Sequence, residues 1–344
     1  MAGTVINLGY LSNSTSPIYD QDYQGGDRGE GGTGYTITGT GFGTKGASTP
    51  IFEDFEGETV GAAGNIINDV QVSNADGATI ISTGALSGTR SLQNDFGAAG
   101  TQTSFPKVHV DLTGTSTKLY CSAHIKVSGD YGNVWKMSRA GPGAVYSGNP
   151  SCHMEYTGTQ GGNAFGRGSS TVYTPGITSW WSAHSTSGTD GTDGYIADVD
   201  QFYEYEMYTG TLNNSDASFF ERVSGVETTT FVNRPFLTTA NSGLVPTWMM
   251  TPMNGNDQAE TSIMIMDSVY IDESRARVVM TDNATYASST KWAIQPILTY
   301  SDTTVTATAK RQYFDIGDTA YLHLFDDDGV LVDSGSSFTV AGDS

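Results

Sequence analysis

Apolar and polar residues alternate in short runs along most of this chain. Residues 35–38, YTIT, place aromatic or β-branched residues at every second position, which is typical of a half-buried strand. Residues 262–272, SIMIMDSVYID, are apolar on both faces and predict a central strand. Gly, Asn, Asp and Ser separate such runs, and no window shows apolar residues at helical spacing between caps. The pattern predicts an all-β sandwich protein with few and short helices.

The stretch GYTITGTGFGTKG, residues 34–46, is rich in glycine and ends near Lys45. A phosphate-binding loop of the P-loop type needs a helix behind it, with Gly directly before Lys and Ser or Thr after it. Here Thr44 precedes Lys45, Gly46 follows it, and the next residues lead to Pro50 without helical periodicity. We therefore interpret the stretch as a strand followed by a turn.

The charge of the chain limits its partners. The 344 residues carry a formal net charge of −21, whereas phosphate backbones are bound by clustered Lys and Arg. The negative charge therefore argues against a nucleic-acid partner. We also expect no membrane insertion, because no apolar run is long enough to span a bilayer. The N-terminus has neither a basic start nor an apolar signal core, so Sec-type export is not predicted. Cys121 and Cys152 match neither a zinc nor a redox spacing; two buried thiols are favoured, with a disulfide left open.

Residues 1–29 are predicted to form an extended N-terminal docking arm. The segment contains too few apolar residues to form a core of its own. It is either a loose tail or is ordered by a partner, and we expect a neighbouring protein to hold it.

The stretch 32–46 and the residues LTYSDTTVTATA, 298–309, resemble the first and later strands of IPT/TIG domains, which are immunoglobulin-like (Ig-like) modules. An Asp-Gly turn is predicted at Asp328–Gly329 in the same C-terminal part. The resemblance implies one Ig-like sandwich, residues 30–50 and 276–344, interrupted by a large insertion.

The insertion, residues 51–275, resembles concanavalin A-like jelly rolls, the two-sheet sandwiches of lectins and some polysaccharide-cleaving enzymes. The resemblance rests on FEDFEG at 52–57, SGTRSLQNDF at 87–96, the paired strands of 202–228 with a turn at Val223–Ser224–Gly225, and the closing strand 262–272. The predicted fold class is therefore all-β, with a jelly-roll sandwich inserted in an Ig-like sandwich that follows an N-terminal arm.

Jelly rolls of this kind bind glycans on one sheet through stacked aromatic rings and directed polar groups. The candidate carbohydrate-binding residues are Trp135, Arg139, Tyr156, Trp180 and Trp181. Strand alternation places Trp135 and Arg139 on one face, and an arginine favours an acidic sugar over a neutral one. The alternative is that these tryptophans belong to the core.

Two carboxylates, Glu204 and Glu206, lie two residues apart on one predicted strand. The jelly-roll glycosidase pattern is E-x-D-x-E, however, and Phe202 occupies its first place. The Arg-rich and Gln-x-His strands that mark β-jelly-roll lyases are also not recognised. We therefore predict no catalytic residue, and we expect Glu204 and Glu206 on a solvated face with Tyr203, Tyr205 and Met207 packed inward.

Calcium is an alternative ligand for two acidic clusters, Asp190 with Asp193 and residues 326–328. Neither cluster has the alternating spacing of an EF-hand loop. No cofactor is predicted with certainty.

Taken together, these modules resemble bacteriophage decoration, head-fibre and tail-adhesin proteins. The resemblance implies a non-enzymatic structural protein on a virion surface, assembled in the host cytoplasm, with the lectin-like domain displayed outward for attachment to a surface glycan. Its expected partners are other virion proteins, bound through the arm, and further copies of the chain, for which a trimer is a frequent solution. The alternative is a polysaccharide lyase or glycoside hydrolase that acts through the jelly-roll groove.

Overall fold

A computed structural model of the chain describes residues 4–10, 34–46, 48–61, 71–73, 78–95, 107–111, 117–128, 135–142, 152–158, 165–166, 170–172, 181–183, 199–234, 246–254 and 263–340. Within these ranges the regular structure is strand, apart from one 3-10 turn at Tyr286–Ser288. The prediction of an all-β fold is confirmed.

The strands are numbered in chain order. They are β1 (Thr4–Tyr10), β2 (Gly34–Thr40), β3 (Ile51–Glu53), β4 (Gln71–Ser73), β5 (Ala78–Ile81), β6 (Ser91–Asp95), β7 (Lys107–Asp111), β8 (Lys118–Ser128), β9 (Trp135–Pro142), β10 (Cys152–Gly158), β11 (Phe165–Gly166) and β12 (Ser170–Val172). The second half contains β13 (Trp181–Ala183), β14 (Gln201–Tyr208), β15 (Ala217–Val223), β16 (Val226–Arg234), β17 (Pro246–Asn254), β18 (Ile263–Asp272), β19 (Arg277–Thr281), β20 (Trp292–Gln295), β21 (Ile297–Tyr300), β22 (Thr304–Thr308), β23 (Thr319–Phe325) and β24 (Leu331–Thr339).

The two ends of the chain build a pair of four-stranded sheets, which we call the small sandwich. One sheet has the order β1-β2-β22-β21 and the other β20-β19-β23-β24. Ile37 and Val305 are register partners in the first sheet, and Val278 and Leu324 are partners in the second. All four belong to one buried apolar cluster, so the two sheets pack face to face.

The middle of the chain builds two larger sheets, which we call the large sandwich. Its back sheet has the order β16-β15-β14-β8-β18-β6-β5, with β3 paired to β18. Its front sheet has the order β13-β12-β10-β9-β17-β7-β4, with β11 paired to β10. The predicted domain boundaries near residues 29, 50 and 276 stay predictions, although this topology is compatible with them.

The N-terminal segment differs from its prediction. Residues 4–10 were expected to be held by a neighbouring protein, but they form β1, which pairs with β2 from Thr4↔Thr40 to Tyr10↔Tyr35. An edge strand such as β2 presents unpaired backbone N–H and C=O groups, and β1 supplies their partners from the same chain. The expectation that a neighbour alone orders the arm is therefore wrong for this segment.

Both faces of the back sheet are buried at its centre. All residues of β14 up to Met207 are buried, whether their side chains point to one face or to the other. Tyr205 and its register partner Cys121 belong to the inner face of the large sandwich, and the Cys121 Sγ donates to the Tyr205 carbonyl at 3.8 Å. The outer face, with Phe202 and Tyr120, is covered by the small sandwich. In the described part of the chain, the buried cluster of this contact therefore draws on the back sheet and not on the front sheet.

Candidate functional site

A continuous row of register partners crosses the whole front sheet. Seven residues, one from each strand of the sheet order, occupy this row: Gln71, His109, Met249, Arg139, His153, Thr171 and Ser182. Direct partners in an antiparallel sheet lie on the same face. The row therefore collects one arginine, two histidines and three neutral polar residues on one face.

The next row along the strands has the opposite character. It consists of Val110, Trp248, Ala140, Cys152, Val172 and Trp181. Successive residues of a strand belong to opposite faces, and a sandwich turns its apolar faces toward the core. The polar row and the apolar row therefore lie on opposite faces of the front sheet.

The geometry of the row places its ionisable residues near one another. Neighbouring strands lie about 4.8 Å apart, so the backbone at Arg139 is about 5 Å from His153 and about 10 Å from His109 on its other side. An arginine binds a carboxylate through two parallel hydrogen bonds, and a histidine exchanges a proton near neutral pH. These three residue types suit the binding and deprotonation of an acidic sugar.

The register of β9 divides the residues predicted for glycan binding. Trp135 and Tyr156 are direct partners, so the sheet brings these two together. A register shift between His153 and Glu155 interrupts the pairing before Arg139, and simple alternation from Trp135 to Arg139 does not hold across it. Trp181 pairs with Val172 in the apolar row. Trp180, Asp190 and Asp193 lie outside the described residues.

Sequence reasoning did not single out His109 or Gln71. The available signal was the alternation in KVHVD, residues 107–111, where His109 lies between two valines that belong to the opposite face. Its importance depends on Arg139 and His153, which lie 30 and 44 residues further along the chain and meet it only through strand pairing.

Glu204 and Glu206 do not lie on a solvated face, and that expectation is wrong. Both are buried on the outer face of the back sheet. Arg277, on β19, places its guanidinium 2.7 Å from Glu206 Oε1 and 3.3 Å from Glu204 Oε1, and Arg222 also pairs with Glu206. Burial opposes ionisation of Glu206, but Arg277 and Arg222 outweigh it and lower the pKa of that carboxyl. The two carboxylates belong to a contact between sandwiches and are closed to a substrate.

The acidic turn at 326–328 is also engaged in this contact. Lys118 Nζ lies 2.5 Å from Asp327 and 3.0 Å from Asp328, and Ser274 donates to Asp327 at 2.6 Å. The Asp326 carboxylate accepts the N–H groups of Asp328 and Val330 within the turn. Among the residues that the structure describes, no group of three or more His, Cys, Asp or Glu is arranged to hold a metal.

In the same described part of the chain, no helix is long and apolar enough to cross a membrane.

The solved structures that match this chain include alginate lyases. The alginate lyase Aly36B matches with a TM-score of 0.51 at 13% identity, over 65% of this chain and 96% of that one. A variant of the same enzyme in complex with an alginate trisaccharide matches with a TM-score of 0.52 at 11% identity, over 66% and 98%. An alginate lyase from Aplysia kurodai matches with a TM-score of 0.48 at 9% identity, over 65% and 99%. No family model and no curated protein matches the sequence.

The two matches to Aly36B extend over nearly the whole length of that lyase and show a common jelly-roll-like sandwich. The prediction of a non-enzymatic virion protein is wrong as the main interpretation, because the proteins that share the fold are alginate lyases. The stated alternative, a polysaccharide lyase or glycoside hydrolase, agrees better with these matches than a virion protein does. A front sheet with a polar row serves glycan binding and glycan cleavage equally well, so residue pattern alone did not separate the two functions.

Proposed function

We propose that this protein is a polysaccharide lyase that cleaves a uronate-containing polysaccharide at the polar row of the front sheet. The observation that carries the proposal is the placement of Arg139 in one register row with His153 and His109. The sandwich fold, similar to that of an alginate lyase variant in complex with an alginate trisaccharide, supports the same substrate class.

A lyase removes the proton at C5 of a uronate and expels the glycosidic oxygen at C4, which leaves a C4–C5 double bond in the product. The C5 proton is acidic only when the neighbouring carboxylate is neutralised, because negative charge develops on that group in the transition state. Arg139 is suited to this role, since a guanidinium binds a carboxylate in a bidentate manner. In a chain of net charge −21, a local cation is also needed to hold a polyanion.

One histidine supplies both proton transfers in this proposal. His153 is the direct register partner of Arg139. It accepts the proton from C5 as the base and then donates it to the oxygen that leaves C4, whereas His109, three strands from His153, lies too far away to take part in the same step. Histidine suits both transfers, because an unperturbed imidazole exchanges its proton near neutral pH. We expect kcat/KM to rise with pH as His153 loses its proton, because the base at C5 must be neutral.

A glycoside hydrolase is less well supported. Hydrolysis in jelly-roll enzymes needs a pair of accessible carboxylates. The adjacent pair Glu204 and Glu206 is buried against Arg277 on the back sheet and cannot reach a glycan.

Variants of the row test the proposal. The purified chain is incubated with alginate and with polyglucuronate, and the ultraviolet absorbance of unsaturated uronate is followed. We expect Arg139→Ala and His153→Gln to lose at least about a hundredfold in kcat/KM, the usual contribution of a proton-transfer or charge-stabilising group. Arg311→Ala, at a half-buried arginine of the small sandwich, is the matched control and should keep the parent activity. Full activity in Arg139→Ala would exclude this row as the catalytic site.

The finer resemblances stay proposals. We propose that the small sandwich is an Ig-like module, because two four-stranded sheets from the chain ends pack around one core. The predicted virion location, the partners bound through residues 1–29, the homo-oligomer and the calcium ion also stay predictions.

A further inference from the structure

The contact between the two sandwiches has the character of a protein core. Tyr120, Phe202 and Tyr270 of the back sheet form one buried cluster with residues of the small sandwich, among them Trp292 and Phe325. The Phe202 and Trp292 rings are stacked, with centroids 6.2 Å apart and an angle of 8° between their planes. Three central strands of the large sandwich, β8, β14 and β18, thus depend on the small sandwich to bury their outer face.

Arg277 lies at the centre of this contact with no exposed surface. Its guanidinium stacks between two rings, 3.6 Å from the centroid of Phe325 and 4.4 Å from that of Tyr120. One ring and the arginine come from the small sandwich, whereas Tyr120 and the carboxylates of Glu204 and Glu206 come from the large one. A buried charge paired across a contact fixes the relative position of both sides, because separation would leave it without a partner.

One tight turn from each sandwich fits closely against the other. Gly225, in the β15–β16 turn, has φ +74°, and a Cβ there would lie 3.1 Å from the Tyr286 carbonyl oxygen and 3.2 Å from the Trp292 ring. Gly329, in the β23–β24 turn, has φ +71°, and a Cβ there would lie 2.2 Å from Glu206 Oε2. A side chain at Gly329 would require Glu206 to move, and one at Gly225 would require the facing backbone and ring to give by a few tenths of an ångström, so little space is left between the two surfaces.

Ion pairs surround this centre. Lys310 of the small sandwich lies 3.0 Å from Asp54 of the large one, and Lys118 of the large sandwich pairs with Asp327 of the small one. Near the places where the chain passes between the sandwiches, Lys45 lies 3.1 Å from Asp272, and Ser48 donates to the same carboxylate at 2.6 Å.

We infer that the two sandwiches unfold as one cooperative unit, held together through the outer face of the back sheet. The small sandwich is then a structural part of the large one and not a separable binding or spacer module. This inference goes beyond the proposed enzymatic function and does not depend on it. Mobile modules joined by a linker share small and polar contacts. This contact is instead mostly apolar, contains a buried ion pair at its centre, and includes two tight turns whose glycines pack against the opposite sandwich.

Native-state hydrogen exchange of the full chain tests the inference. Val305→Ala removes two methyl groups from the core of the small sandwich, at a buried residue outside the contact. If the sandwiches are one unit, the slowest amides of β14 and β23 will both exchange faster by the same factor, on the order of tenfold. Ile125→Val, at a buried residue of β8 in the large sandwich, should in turn accelerate both strands equally.

The matched control is Val330→Ala, the same substitution at an exposed residue of the small sandwich, which should leave both exchange rates unchanged. The inference is overturned if Val305→Ala accelerates β23 while β14 keeps its parent rate, because the large sandwich would then be stable on its own.

Discussion

Replacing Arg277 with methionine isolates the charge of the buried guanidinium. Methionine fills much of the space between the Phe325 and Tyr120 rings and contacts aromatic rings favourably, so the packing loss is small. After the change, Glu206 keeps its salt bridge to Arg222, whereas the buried Glu204 loses its salt bridge and keeps the Tyr120 hydroxyl, which donates to it at 3.0 Å. One buried carboxylate is therefore left without a salt-bridge partner.

Breaking a buried ion pair from one side typically costs about 3–5 kcal/mol. A loss of this size is a large part of the roughly 5–15 kcal/mol by which a typical protein is stable. We expect Arg277→Met to lower the free energy of unfolding by about 3–5 kcal/mol in urea denaturation, with one transition for both sandwiches. Adding Glu204→Gln removes the unpaired charge and should restore at least half of the loss. A loss of less than about 1 kcal/mol in Arg277→Met, or no recovery in the double variant, would refute the role given to this ion pair.

Two further predictions concern the contact and the chain crossing. Gly329→Ala should destabilise the protein by more than about 2 kcal/mol in thermal unfolding, because the added Cβ would overlap Glu206. The control is Gly317→Ala, also at positive φ, where the added Cβ would meet no atom of the described residues within 4 Å. This substitution should cost only about 1 kcal/mol. Burial raises the pKa of Asp272 to about 6 despite Lys45. The folded state then binds more protons than the unfolded state between pH 3.8 and about 6, so this group adds stability as pH falls through that window, up to about 3 kcal/mol. Asp272→Asn should remove that pH dependence in denaturation curves; an unchanged slope would contradict the assignment.

Short stretches of sequence were sufficient to predict the turns and the strand faces that depend only on residues close together in the chain. The turn at Val223–Ser224–Gly225 and the Asp328–Gly329 turn are both present, the first with positive φ at Ser224 and Gly225. In β23, Leu322 and Leu324 enter the small core as alternation requires. These features depend on backbone conformations and apolar periods that are visible in a short window of sequence.

The site and the contact could not be predicted in this way. Glu204 and Glu206 have the alternation of a solvated face, but a surface built from residues about 70 positions away covers them and supplies Arg277. The row around Arg139 depends on the pairing of seven strands, and the register shift beside β10 breaks the alternation on which the grouping of Trp135 with Arg139 relied. Both the row around Arg139 and the buried contact of Glu204 and Glu206 depend on the pairing and register of strands that are distant in sequence. The alternation of residues within a single strand does not reveal either of them.

The most direct test of the proposed lyase activity is the mass balance of cleavage in water labelled with heavy oxygen. The purified protein is incubated with an acidic polysaccharide such as alginate or polyglucuronate, and the products are analysed by mass spectrometry. Elimination breaks the glycosidic bond without adding water, so we expect unlabelled products, each cut producing one fragment with an unsaturated terminal uronate. Saturated products that carry one added water per cut would instead indicate hydrolysis, and intact polymer with every uronate-containing substrate would contradict the enzyme assignment itself.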